Sequence, residues 1–278
     1  MATAGHDNRS GPILLVGGGK MGGALLAGWL QRGVPATDIL IIEPDTTAAA
    51  ALRQTYNVEV ASALPERLAR APALVLFAVK PQVLADVLQP YRALVGGDTV
   101  FLSIAAGKTL AFFERHLGAG AAIVRAMPNT PAAVGRGMTV LVANAPASAG
   151  QRQLCERLLT AVGEVRWTND EGQIDAVTAV SGSGPAYVFL MIECLAQAGV
   201  EVGLPADLAM DLARATVAGA GELARQSRDP AETLRRNVTS PGGTTAAALA
   251  VLMADDGLGP LLTRAVAAAT RRSKELAD

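Results

Sequence analysis

The residues best suited to chemistry stand near the amino terminus, where Gly17, Gly18, Gly19, Lys20, Met21 and Gly22 follow the apolar run 13–16 and lead into a helical pattern over 22–31. Gly17 permits a tight turn, Gly19 lets a pyrophosphate approach the backbone, and Gly22 allows close packing of the helix. The helix start then offers unpaired N–H groups to an anion. A glycine-rich hairpin is the competing reading, and the position between a strand and a helix selects dinucleotide binding and nicotinamide redox chemistry over it. Glu43, at the end of the next apolar run, is placed to accept a hydrogen bond from the adenosine ribose 2′-hydroxyl. Its charge repels a 2′-phosphate, which leans toward NADH over NADPH; a solvated surface carboxylate is the other reading for Glu43 and for Asp45.

Further loops follow predicted strands and converge on the same crevice, the carboxyl edge where open α/β sheets bind ligands. Lys80 lies in Ala78-Val79-Lys80-Pro81, and is read either as a contact to the cofactor ribose or as a surface lysine. The stretches 103–107 and 125–131 end the next two strands, and only that position raises them above ordinary turns.

Farther along, Ser240-Pro241-Gly242-Gly243-Thr244-Thr245 precedes an Ala-rich helical pattern. Exposed N–H groups and two hydroxyls in a first turn suit a substrate carboxylate, with a plain helix cap as the alternative. His6 and His116 are the chain's histidines, one in the amino-terminal tail and one at a helix end, so a histidine general base is hard to place in the crevice. Reduction of a protonated imine needs no strong base, because the C=N carbon is electrophilic and the nitrogen already carries its proton. The functional groups fit that chemistry.

Positioning these residues requires a sheet. Apolar runs at 13–16, 39–42, 74–79, 99–104, 122–125, 138–143 and 164–167 alternate with helical or loop stretches, which predicts an α/β fold with a doubly wound, Rossmann-type sheet over residues 12–167. From residue 168 to 278 the pattern turns all-helical, over 174–180, 185–198, 207–226, 244–254 and 260–275. Recurring alanines over 208–224 give a flat face for close helix contacts, read as a homodimer interface, against a monomeric helical cap as the alternative. Residues 1–11 read as a disordered tail with no secretory signal, which predicts a cytoplasmic protein.

The net charge of −1 offers no basic patch for nucleic acid or an acidic membrane surface. Cys155 and Cys194 are far apart and read as buried free thiols, with no metal-ligand spacing around them. No apolar stretch approaches the roughly 20 residues of a membrane span.

Together, the turn over 17–22, Ala78-Val79-Lys80-Pro81, the stretches 103–107 and 125–131, Val180-Ser181-Gly182-Ser183-Gly184-Pro185-Ala186-Tyr187, and the stretch 240–245 resemble the pyrroline-5-carboxylate reductases from about residue 12 to 275. The resemblance implies reduction of L-1-pyrroline-5-carboxylate to L-proline by NADPH or NADH, the final step of proline biosynthesis, in a homodimer or a higher oligomer of dimers. It puts Gly18, Lys20, Met21, Glu43, Asp45, Val79, Lys80, Ala106 and Asn237 against the cofactor and Asn129 near the nicotinamide. It rests the substrate carboxylate on Gly243, Thr244 and Thr245, with the Thr245 hydroxyl, the catalytic nomination, at the ring nitrogen and Glu171 at the pocket edge, Asp170 being its neighbouring substitute. The sequence departs from the family's pattern at Lys20, where Asn or Gln is common, at Glu43, where a small hydroxyl residue is frequent, and by one extra residue between Pro230 and Pro241.

Two other readings compete. A β-hydroxyacid dehydrogenase shares this domain plan but relies on a catalytic lysine in its helical half, and residues 168–262 contain none. A dinucleotide-sensing regulator binds NAD(P)H without consuming it, and the polar second anion site argues against it.

Overall fold

The structure is a computed structural model and describes residues 11–276. Apolar four-residue runs form β1 (Ile13–Val16), β2 (Ile39–Ile42), β4 (Leu74–Phe77) and β5 (Val100–Ser103), every residue of them buried. Such continuous runs are what a sheet covered on both faces demands. With β3 (Glu59–Ala61), β6 (Ala122–Met127), β7 (Gly137–Ala143) and β8 (Gly163–Trp167) they make one sheet in the order β3-β2-β1-β4-β5-β6-β7-β8. All pairs are parallel except β6 with β7.

Alternate strand residues feed opposite faces. Leu15, Ile41, Leu76 and Leu102 pack on one side with Leu25 and Trp29 of α1 (Lys20–Gln31). Leu14, Val16, Phe77 and Phe101 pack on the other with Leu88, Tyr91 and Phe113. The Trp29 indole N–H, fully buried, donates to the Leu158 carbonyl at 2.9 Å. Around the sheet run α2 (Thr46–Tyr56), α3 (Leu84–Leu88), α4 (Leu110–Leu117), α5 (Ala149–Leu159) and α6 (Gln173–Val177).

The chain divides into two compact units, residues up to 182 with 270 onward, and Ser183–Ala269. Sequence patterning put that boundary at 168. The difference has a physical cause: Ile174 and Ala179 are buried in the first unit, and Ser273 donates to Asp175 at 2.7 Å, so both the start and the end of the helical half are anchored there. The second unit holds α7 (Gly184–Glu201), α8 (Ala206–Gln226), α9 (Ala231–Asn237), α10 (Thr244–Leu252) and most of α11 (Leu258–Glu275). α7 and α8 form a hairpin in which Gly199 faces Ala209, where an added Cβ would stand 3.1 Å from the alanine methyl.

β3 and α9 were not anticipated. β3 is a three-residue edge strand with one buried side chain, and α9 is a seven-residue helix without a buried face, too little pattern in either case for periodicity to register. The single helix expected over 174–180 is α6 followed by a π-helical turn, Thr178–Gly182. The helical run 173–201 reaches a mean hydropathy of 1.4 and by length and composition is long and apolar enough to cross a bilayer, contrary to the expectation that no stretch was. Cys155 is buried as expected, whereas Cys194 is exposed on α7. His6 and the tail over 1–10 lie outside the described residues.

Candidate cofactor and substrate sites

Three strand ends meet at the glycine turn. Gly17 N–H donates to Ile42 O at 2.9 Å and Ala78 N–H to Val16 O at 2.8 Å, so β2, β1 and β4 finish level. Gly17 has φ +97°, and a Cβ there would stand 2.8 Å from Ala78 O; a Cβ on Gly22 would collide with Gly17 O. At Gly19 nothing lies within 4 Å of where a Cβ would be. The turn is closed by backbone where it must be tight and open where a pyrophosphate must approach, which is the fit a dinucleotide requires. No side chain caps α1, and Gly23 N–H takes Gly19 O at 2.7 Å, so the N–H groups of Lys20, Met21 and Gly22 have no intrahelical acceptor. A cleft of about 460 Å³ follows the turn, lined by Gly18, Gly19, Lys20, Gly23, Leu52 and Tyr56 among others.

Glu43 sits just beyond β2, half-buried. Its Oε2 accepts from Gly18 N–H at 2.9 Å and its Oε1 from Asp45 N–H at 3.1 Å. Asp45 caps α2 through Ala48 N–H at 2.7 Å. Val79 faces Gly17, where an added Cβ would meet its Cγ1 at 3.0 Å, and Lys80 is exposed at the start of a 3-10 turn. After β5, Ser103 Oγ accepts from Ala105 N–H at 3.2 Å and Ala106 is exposed; Gly107 takes φ +74° against Leu276. All these residues lie at the carboxyl edge of the sheet. A larger cavity, about 860 Å³, opens at the opposite edge among Pro72, Thr99, Gln151 and Arg157. It contains none of the predicted site residues, whereas the smaller cleft is lined by Gly18, Gly19 and Lys20 of the glycine turn.

Asn129 and Glu171 are bound more tightly than the sequence suggested. Asn129 Nδ2 donates to Ser181 O at 3.2 Å and Ser181 Oγ at 3.3 Å, while its Oδ1 accepts from Met138 N–H at 2.9 Å. It ties the loop after β6 to the π-helical turn. Glu171, expected at the edge of a substrate pocket, pairs through Oε1 with Arg125 Nη1 at 2.9 Å and accepts from Leu110 N–H at 2.8 Å. Arg125 is a buried cation in β6, and a charge there requires a partner. The arginine inside the apolar run 122–127 signals a buried cation in need of a carboxylate, but not which carboxylate. Asp170, also considered for that role, instead accepts from Gly172 N–H at 2.9 Å.

In the second unit, α9 ends at Asn237 and the turn to α10 carries Gly242 at φ +69°. Gly243 N–H donates to Ser240 O at 3.1 Å and Ala247 N–H to Gly243 O at 3.2 Å. No side chain caps α10, and the N–H groups of Thr244, Thr245 and Ala246 make up its first turn. Thr245 is half-buried and Thr244 exposed. His116 Nδ1 lies 2.8 Å from Phe112 O at the end of α4.

A pyrroline-5-carboxylate reductase of Pseudomonas aeruginosa is 42% identical over 96% of this chain and 97% of its own length. The chain belongs to the pyrroline-5-carboxylate reductase family. A member from a Synechocystis species is 43% identical over 94% of this chain and 97% of its own. Family models match at residues 171–276, as pyrroline-5-carboxylate reductase dimerisation, and at 12–107, as NADP oxidoreductase coenzyme F420-dependent. Among solved structures, the Coxiella burnetii pyrroline-5-carboxylate reductase superposes with a TM-score of 0.91 at 34% identity, over 97% of this chain and 100% of that one. The Plasmodium falciparum enzyme, with NADP bound, gives 0.82 at 29%, over 99% and 100%. Membership in this reductase family displaces both the β-hydroxyacid dehydrogenase and the dinucleotide-sensing regulator readings, and the reductases are NAD(P)H-dependent oxidoreductases.

Proposed function

We propose that this chain reduces L-1-pyrroline-5-carboxylate to L-proline with NAD(P)H, the final step of proline biosynthesis, as a cytoplasmic homodimer. Identity above 40% over almost the whole length to reductases of that name carries this reading. Bound NAD(P)H supplies the hydride, which goes to the C=N carbon, and one proton from solution balances the product amine. Gly17, Gly18, Gly19, Lys20, Met21 and Gly22 hold the pyrophosphate, the free N–H groups of α1 supplying the donors. Glu43 and Asp45 flank the adenosine end, Val79, Lys80 and Ala106 line the sheet edge toward the nicotinamide, and the family resemblance gives Asn237 as a further cofactor contact.

Gly243, Thr244 and Thr245 hold the substrate carboxylate on the start of α10, where backbone donors and the helix dipole favour an anion without a mobile cation. The Thr245 hydroxyl orients the ring nitrogen and keeps its proton in place. Asn129 acts on the nicotinamide region through the turn it fixes at Ser181, and Glu171 through the Arg125 pair that anchors the loop before α6.

The test is a spectrophotometric assay of NADH and NADPH oxidation with pyrroline-5-carboxylate, run with Thr245→Ala alongside. Turnover by the wild type and a loss of roughly a hundredfold in kcat/KM for the variant are expected if the hydroxyl serves the proton. No turnover with either cofactor defeats the functional reading; an unaltered kcat and KM in Thr245→Ala defeats the residue assignment.

A further inference from the structure

We infer that Glu43 makes this reductase an NADH enzyme, by occupying with a fixed negative charge the place where a 2′-phosphate has to lie. The inference rests on dinucleotide binding at the glycine turn and concerns which dinucleotide is selected there.

The two cofactors differ only at the adenosine ribose: NADH ends in a diol, which donates hydrogen bonds, and NADPH carries a phosphate monoester of charge about −1.5 to −2 at pH 7. Glu43 follows the last residue of β2, the strand whose carboxyl end meets that ribose in sheets of this type. Its carboxylate is held from two sides, by Gly18 N–H on Oε2 and Asp45 N–H on Oε1. Each oxygen keeps a second lone pair, so the group is oriented, half-buried and still able to accept from a 2′-hydroxyl.

Among the described residues, no Lys or Arg lies within 4 Å of the Glu43 carboxylate as an ion-pair partner. The segment that follows, Pro44-Asp45-Thr46-Thr47, brings a second carboxylate and no cation, and the Asp45 side chain already caps α2. Arg53, farther along α2, donates to Val60 O at 2.6 Å. Lys20 opens α1, where the pyrophosphate common to both cofactors rests, so its charge strengthens both and discriminates neither. Among the described residues, the charge held at the end of β2, where the two cofactors differ, is negative.

Equilibrium titration of the full-length protein, following nicotinamide fluorescence with NADH and separately with NADPH at low ionic strength, reads this without turnover. NADH should bind about tenfold or more tightly than NADPH, and added salt should narrow the ratio by screening the repulsion. Glu43→Gln keeps the reach and one N–H bond but removes the charge, and should bring the ratio at least threefold closer to one; Glu43→Ser should move it further by opening space. Circular dichroism melts of both variants check that the fold is retained. A wild type that binds NADPH as tightly as NADH overturns the inference and leaves the reductase reading intact. So does a ratio that neither variant moves. Failure to bind either dinucleotide removes the cofactor reading on which the inference depends.

Discussion

The two units of the chain bury themselves to very different degrees. In the sheet unit β1, β2, β4 and β5 are buried throughout, and Trp29, Phe77, Phe101 and Phe113 are closed off from solvent. In Ser183–Ala269 only Ala196, Ala209 and Ala213 are buried, while Phe189, Leu190 and Val251 stand 59%, 57% and 73% exposed. A sheet covered by helices on both faces completes its own core, whereas a helical hairpin closed by alanines leaves its large side chains outside. Large apolar side chains left exposed, where they gather into one patch, mark a site of association. The match of 171–276 to a reductase dimerisation family supports the proposed second copy of this chain as the cover of these side chains.

The contrast breaks most visibly at that surface. Replacing Phe189 of α7 and Leu212 of α8, both exposed, together by Asp should abolish the dimer, because each large apolar side chain contributes about 1.5–3 kcal/mol when buried and a two-fold interface counts each twice. Analytical ultracentrifugation should show a dissociation constant weaker by at least about a thousandfold, about 4 kcal/mol. A wild type that sediments as a monomer, or a variant that stays dimeric, would end the interface reading.

The next effect sharpens where the units divide. Glu171 begins the stretch matched to the dimerisation family, yet it is bound to Arg125 and Leu110 of the sheet unit. Glu171→Ala leaves a cation, 5% exposed at its side chain, without its counter-charge. A loss of about 2–4 kcal/mol is expected, at the lower side of buried-pair removals because Glu171 itself is partly exposed. Glu171→Gln, which keeps hydrogen-bonding capacity, should lose about half as much. Urea unfolding measures both, and an alanine variant within about 0.5 kcal/mol of wild type would show the pair to be surface decoration.

What the sequence made legible follows the same division. Strands buried on both faces read directly as apolar runs, so every strand except the edge strand β3 was expected within a few residues of where it lies, and the glycine turn announced its own geometry. Gly17 shows why: only glycine accepts φ +97° with a carbonyl 2.8 Å from the missing Cβ. Gly17→Ala should therefore cost about 1–3 kcal/mol of stability and most of the dinucleotide affinity; a variant that binds NADH normally by fluorescence titration contradicts the cradle. Pairings across long sequence distances were not legible. Nothing in the chain between Arg125 and Glu171, or Asn129 and Ser181, encodes that they meet, since their contact exists only once the fold brings β6 and the loop after it beside the segments that flank α6. The contact boundary after residue 182 was not legible for the same reason: the stretch 174–180 reads as helical, but what it packs on is decided by tertiary contact.

The smallest effect distinguishes the units through their cysteines. Cys155 is fully buried on α5 of the sheet unit, and burial pushes its thiol from the ordinary 9.0 up to about 12; Cys194, on α7, is exposed. A pKa raised by folding means that the native thiol keeps its proton where the unfolded one has lost it. The stabilisation is complete below pH 9 and is lost as pH rises from 9 toward 12, by about 1.4 kcal/mol for each unit. Burial raises the Tyr91 phenol as well, in the same direction and at higher pH. Urea unfolding at pH 8 and pH 10 should show the wild type losing about 1.4 kcal/mol more than Cys155→Ala, whatever the alanine costs at pH 8, because only the slope reports the thiol. Cys194→Ala should leave that slope unchanged. Parallel pH dependences for wild type and Cys155→Ala would mean that the sheet unit opens around α5 before it unfolds, and that its core is less closed than its strands imply.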